Sequence, residues 1–155
     1  LIVTPEKKKG GLSVVKLKQI SVFLENKSGR LSELTRVLGE NNINIRALSI
    51  ADTEDFGILR LIVNDPEKAW QVLKERGFTV SETKIIAVEI PDVPGGLAKV
   101  LEILETHAIN IEYIYAFVGQ RQGNAVVVFR VEDIDSAVKI LQDKGFHLLD
   151  GEEIG

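Results

Sequence analysis

The chain is poor in residues that carry out covalent chemistry. It has no Cys and only two His in 155 residues, which excludes disulfides, thiolate nucleophiles, iron–sulfur clusters and Cys-based metal sites. His107 stands at the polar end of a helical segment, where Asn41 stands in a related segment, and His147 falls in a strand-like run. Neither belongs to a cluster spaced like metal ligands. G-x-S-x-G, G-x-x-x-x-G-K-[ST] and G-x-G-x-x-G are all missing, so the nucleophile elbow, the P-loop and the dinucleotide fingerprint are absent. Trp70 has Leu73 at helical spacing and Val138 as its counterpart, which marks it as a core residue.

What remains is a pair of loops. Asn26-Lys27-Ser28-Gly29-Arg30-Leu31 and Asp92-Val93-Pro94-Gly95-Gly96-Leu97 each place a short polar side chain and glycine just before an apolar helical stripe. A helix start of this kind presents unpaired backbone N–H groups and the positive end of a dipole, an environment suited to a carboxylate. Asn44 and Asn110 open the next strand, and Asn supplies both donor and acceptor for a ligand carrying ammonium and carboxylate together. The same residues also read as turn chemistry alone, since Pro-Gly makes turns and Asn is an ordinary boundary residue.

The elements that must position these loops come in two copies. Ile43-Asn44-Ile45 faces Ile109-Asn110-Ile111 at the same spacing of 66 that relates Gly29 to Gly95, and Gly77-Phe78 faces Gly145-Phe146 at 68. A two-residue insertion therefore lies in the loop around Asp52 to Phe56 and its counterpart Val118 to Gln122, where length changes are tolerated. Leu17 to Leu24 and Ile86 to Ile90 alternate as half-buried strands. Leu31, Leu34 and Leu38, and Leu97, Val100, Leu101 and Leu104, recur at helical steps. Ile45 to Ile50 and Ile58 to Val63 read as a hairpin, as do Ile111 to Val118 and Ala125 to Val131.

Asp65-Pro66 and Asp133 start second helices, Gly77 and Gly145 stop them, and fourth strands follow over Phe78 to Glu82 and Phe146 to Asp150. The pattern is β-α-β-β-α-β twice. The expected class is α+β, two tandem ferredoxin-like units over residues 15–83 and 84–154, each with an antiparallel sheet and helices on one face. Only Thr83 separates the units. Units this small are expected to pack together and to dimerise.

Composition narrows the partners. A net charge of -4 is a poor footprint for nucleic acid or an anionic membrane, and no apolar run reaches membrane-spanning length. Together with the lack of Cys and of a signal peptide, this sets the expectation of a cytoplasmic protein without cofactor or metal. Residues 1–14 read as a separate tail, containing Lys7, Lys8, Lys9, Gly10 and Gly11. Lys9-Gly10-Gly11 is what a purine-rich ribosome-binding sequence would encode, with Val14 or Val15 as a GTG start. The other reading is a genuine basic tail that contacts the body or a partner.

The order of elements, with Asp92-Val93-Pro94-Gly95-Gly96-Leu97 leading into a Leu-rich helix and then Ile109-Asn110-Ile111, resembles an ACT domain. The first unit keeps Ile43-Asn44-Ile45 but has Asn26 and Ser28 in place of the Asp and Pro. The resemblance covers Val15 to about Ile154. It implies a free-standing tandem ACT protein, not an enzyme itself, that binds an amino acid or related small ligand where two such domains meet and regulates an enzyme in trans as a homodimer. It further implies one ligand site from Asp92, Gly95, Gly96 and Leu97 with Asn110, and another from Asn26, Gly29, Arg30 and Leu31 with Asn44. The shared fold admits rivals. A structural or protein-interaction pair without ligand is the main one. An acylphosphatase-like hydrolase would use Arg30 to cradle phosphate and Asn44 to position water. An RNA-recognition module would need aromatic residues where Asn124 and Val126 stand.

Overall fold

The computed structural model describes residues 12–52, 55–119 and 121–155. Residues 1–11 of the expected tail, and with them both readings of it, lie outside the described residues. The elements run α1 (Leu12–Val15), β1 (Leu17–Glu25), α2 (Arg30–Glu40), β2 (Ile45–Asp52), β3 (Phe56–Val63), α3 (Pro66–Glu75), β4 (Thr79–Pro91), α4 (Gly96–Thr106), β5 (Ile111–Ala116), β6 (Asn124–Val131), α5 (Ile134–Asp143) and α6 (Gly151–Ile154). The chain divides into two compact units, Lys18–Thr83 and Lys84–Ile154, the second joined by residues 12–17.

In the first unit β3 pairs antiparallel with both β1 and β2. The start of β4 completes the set, where Lys18 on β1 reaches Glu82 at 3.7 Å. Alternation does the sorting: Ile20, Val22 and Leu24 of β1 and Leu59, Leu61 and Val63 of β3 share one face with Leu34, Val37 and Leu38 of α2 and Leu73 of α3. In the second unit β6 pairs antiparallel with β4 and β5. Ile86, Val88 and Ile90 meet Val127, Phe129 and Val131 under Val100, Leu104, Val138 and Leu141.

Local chemistry sets the helix ends as expected. The Asp65 and Asp133 carboxylates accept from the backbone N–H of Lys68 and Ser136, both at 3.2 Å. The Ser136 hydroxyl, then its N–H, hold the Asp133 carboxyl below the usual range. Gly77 and Gly145 take φ of 85° and 88°, and the N–H of Phe78 and Phe146 return to the carbonyls of Leu73 and Leu141 at 3.0 Å. α2 and α4 end in the same left-handed way without glycine, at Asn42 (φ 59°) and Ala108 (φ 55°).

Four expectations change. Residues 12–15 form a helix whose Val14 and Val15 join the core of the second unit, although the sequence pattern opened the first unit at Val15. Thr83 is no break: β4 runs unbroken for 13 residues, because Thr79 to Ile90 contains neither Gly nor Pro. The fourth strand expected over Phe146 to Asp150 shrinks to a bridge between Leu148 and Val88, and α6 comes next. The half-buried reading of β4 also yields, since Ile85 and Ala87, on the face away from α4, are fully buried.

Two substitutions test this packing by urea unfolding. Leu38→Ala, at a fully buried position, should cost about 2–5 kcal/mol. Gly39→Ala, where an added Cβ meets nothing within 4 Å, should raise stability by about 0.5–1 kcal/mol.

Candidate functional site

Both strand-to-helix loops adopt one backbone form. Gly29 and Gly95 precede α2 and α4 with φ of 89° and 84°, a left-handed turn that glycine enters without Cβ strain. The N–H of Glu33 and Lys99 close on the carbonyls of Gly29 and Gly95 at 2.9 and 3.2 Å. Each loop leans on the adjacent hairpin, Asn26 N–H on the carbonyl of Asp55 (2.9 Å) and Asp92 N–H on that of Gly123 (3.4 Å). The N–H of Arg30 and Gly96 turn back onto the carbonyls of Lys27 and Val93 at 3.3 and 3.0 Å, so within each first turn the amides of the second and third helical residues are the ones without an acceptor inside the helix. Leu31 and Leu97, expected within the apolar stripes, are 38% and 37% exposed beside these amides.

The glycine after Gly95 is set by contact. A Cβ on Gly96 would lie 2.2 Å from the Pro91 carbonyl oxygen, so the first turn of α4 sits directly against the end of β4. Its counterpart Arg30 extends instead over the Phe78 ring, 4.6 Å from the centroid, and pairs with Glu33 at 2.7 Å. Arg30 therefore spends its charge within the first unit.

Asn26, Gly29, Arg30 and Leu31 are brought together, and so are Asp92, Gly95, Gly96 and Leu97. Asn44 and Asn110 are not with them. Each opens a strand at the opposite end of its sheet, roughly 20–25 Å from the loop at about 3.3 Å per residue. There the Asn44 backbone N–H donates to Asn64 Oδ1 (2.9 Å), and the Asn110 side chain donates through Nδ2 to Glu132 Oε2 (3.0 Å). Within one unit the expected sites therefore lose their Asn, because α2 and α4 carry the chain back along the sheet before the second strand begins. The same separation leaves no phosphate cradle combining Arg30 with Asn44. His107 caps α4 with Nδ1 2.8 Å from the Ile103 carbonyl, as Asn41 Nδ2 caps α2 on the Val37 carbonyl at 2.8 Å. Trp70 packs against the first core with Lys74 over its ring at 5.3 Å. Among the described residues no cluster of three His, Asp or Glu is arranged to hold a metal.

Sequence reasoning missed the wall of the first loop. Leu24, Glu25, Lys27, Leu31, Ile50 and Phe56, with Asn26 and Gly57, line a pocket of about 150 Å³. The readable signal was Glu25 and Lys27 flanking Asn26 at a strand end. Lys27 Nζ lies 2.9 Å from Glu25 Oε2, and that hydrogen bond and charge hold the Glu25 carboxyl below its usual range. In the second unit, Arg121 of the β5–β6 loop contacts Glu89 and also Glu153 (2.8 Å), which His147 Nε2 meets at 2.7 Å. Burial pushes the Glu153 carboxyl up, but the Asp150 N–H, His147 and Arg121 outweigh it, and the net shift is downward.

The arrangement is that of two βαββαβ units, each with a glycine-entered helix at the end of its leading strand. The chain belongs to the ACT domain pair family, whose model matches residues 15–154. It is 46% identical to a protein of Bacteroides thetaiotaomicron whose crystal structure superposes with a TM-score of 0.85, covering 90% of this chain and 96% of that one. The regulatory subunits of aspartate kinase from Thermus thermophilus and Thermus flavus share the fold at 15% and 16% identity, with TM-scores of 0.60 and 0.57. Those matches cover 84% and 83% of this chain and 94% and 92% of the subunits. No curated protein matches the chain. Among the described residues, no helix is long and apolar enough to cross a membrane.

Gly96→Ala should cost at least about 1–3 kcal/mol in urea unfolding, through overpacking against Pro91. Because the Glu153 pKa is lowered by folding, its stabilisation is full above the ordinary glutamate value of about 4.3 and is lost as pH falls through the folded value. The stability difference between the native protein and Glu153→Gln should accordingly be largest near pH 6 and shrink towards pH 3. A difference that stays flat across that range would show that Glu153 contributes no such linkage.

Proposed function

We propose that this ACT domain pair is a regulatory protein that binds an amino acid or a closely related zwitterion and, as a homodimer in the cytoplasm, adjusts the activity of an enzyme in trans. One observation carries the reading: in each unit a helix start follows the end of a strand through a left-handed glycine, Gly29 or Gly95. The helix dipole and the first-turn N–H groups without an acceptor inside the helix would receive a carboxylate there. The proposed ligand contacts are Asn26, Gly29 and Leu31 in the first unit and Asp92, Gly95, Gly96 and Leu97 in the second, with Arg30 reduced to shaping its loop. Membership of the ACT domain pair family and a fold shared with aspartate kinase regulatory subunits support a regulatory role. A ligand that prefers one arrangement of the protein shifts the population towards it, by no more than its differential affinity allows.

Thermal unfolding across a panel of the common amino acids tests this. A binder of the folded form at 100 times its dissociation constant should add about 2.7 kcal/mol, a clear rise in Tm for one ligand or a few related ones. Asn110→Ala, distant from the loop, should leave that response intact. A flat panel at millimolar concentrations would favour the ligand-free interaction module instead.

A further inference from the structure

We propose that α6 is a latch fastened to the second hairpin by one carboxylate. While Glu153 is charged and paired, α6 stays docked over Leu149 and Ile154; when that charge or its partner Arg121 is lost, α6 lets go, uncovers this apolar surface and slackens the hairpin. The device lies wholly within the second unit and does not depend on the ligand reading above.

Four residues do not hold a helix by themselves, because a first turn fixes several residues for a single hydrogen bond. α6 is held by side chains instead. Asp150 Oδ1 accepts the N–H of Glu152 and Glu153, both at 3.0 Å, and Glu153 Oε1 accepts the Asp150 N–H at 2.9 Å. This reciprocal box closes the helix start. The other oxygen, Glu153 Oε2, reaches out of the helix to Arg121 at 2.8 Å and to His147 Nε2 at 2.7 Å. One side chain thus both forms α6 and fastens it. The Glu153 side chain is only 20% exposed, so solvent screens its pairing less than that of an open surface pair. Leu149 and Ile154 are buried behind it.

Arg121 carries the tie into the hairpin. Its guanidinium spans Glu153 and Glu89 of β4, and Glu89 also accepts from Asn124 Nδ2 at 3.2 Å. Arg121 and Asn124 exchange backbone hydrogen bonds at 2.8 and 2.9 Å across the turn. The charged and titratable groups around Glu153 are therefore Arg121 from the hairpin, His147 and Asp150 from the segment before α6, Glu152 on α6 and, beyond Arg121, Glu89. Burial pushes the Glu153 carboxyl up, yet these partners hold it below the usual range on balance. The latch therefore stays fastened near neutral pH and opens as pH falls through that lowered value. The first unit is built differently. At the repeat spacings of 68, 66 and 68, Glu153, Glu89 and Asn124 correspond to Ile85, Phe23 and Phe56, all apolar.

Amide hydrogen exchange of the full chain at pH 6.5 tests the latch, because exchange reports local opening well below global unfolding. Leu149 N–H, bonded to the Ala87 carbonyl at 2.9 Å, reports on the segment under α6, and Asn124 N–H reports on the hairpin. Ile43 N–H, bonded to the Leu38 carbonyl at 2.9 Å in the first unit, is the reference. Glu153→Gln and Arg121→Gln should each speed Leu149 exchange about tenfold or more. Glu153→Gln should also speed Asn124, 29 positions away in the chain, and neither variant should move Ile43. In the native protein, lowering the pH from 6 to 3 should bring the Leu149 and Ile154 methyl resonances to the positions they hold at pH 6 in Glu153→Gln, while those of the fully buried Leu73 stay fixed. Leu149 exchange untouched by Glu153→Gln would overturn the latch. So would acceleration in Glu153→Gln alone, which would reduce Glu153 to a helix cap, or equal acceleration of Ile43, which would show global unfolding instead of local release.

Discussion

The left-handed turn at the junction of first strand and first helix governs where each helix lies. With φ near 85–90° at Gly29 and Gly95, the chain reverses within a few residues, so the helix returns along the sheet instead of leaving it. That reversal lays Leu34, Val37 and Leu38 on the strands of the first unit and Val100 and Leu104 on those of the second, and it places each first helical turn at a strand end. A β-branched or bulky residue at either glycine would be strained in this conformation. Core formation and the candidate binding surface thus have one origin.

On this common backbone the two copies have diverged by contact rather than by fold. In the second unit the helix start lies so close to β4 that Gly96 has no room for a Cβ, and the acidic Asp92 is followed by uncharged Val93 and Pro94. In the first unit Arg30 lies over Phe78 and anchors to Glu33, and charge gathers instead at Glu25 and Lys27 on the rim of an apolar pocket. The hairpins differ too: Arg121 in the second pairs with Glu89 and Glu153, which ties that hairpin to the C-terminal helix α6. Duplication preserves what the chain needs to fold and frees the loop surfaces to differ.

Much of the fold was legible in the sequence. Strand and helix periods differ, so Ile20, Val22 and Leu24 could be told from Leu34 and Leu38, and a repeat in register supported each reading. Asp65, Asp133, Gly77 and Gly145 marked helix ends because capping is local chemistry between near neighbours. Where the competing choices were long-range, the reading failed. The end of α4 at Ala108 carries no glycine signal, Val14 and Val15 look like any short apolar run, and the strand expected after Phe146 gave way to a bridge and a helix.

The candidate site divides along the same line. Sequence by itself determined the class of protein, two βαββαβ units of the ACT kind, and the two glycine loops, since these depend on residues within a few positions of one another. Only the tertiary structure decided which side chains share those loops. It removed Asn44 and Asn110 to the far end of the sheets, turned Arg30 inward, and brought Ile50 and Phe56 beside Leu31 from more than 18 residues away in the chain. The physical reason is that periodicity reports which face a residue takes, whereas position along the strand and partners across it are set by pairing register and by packing of distant segments.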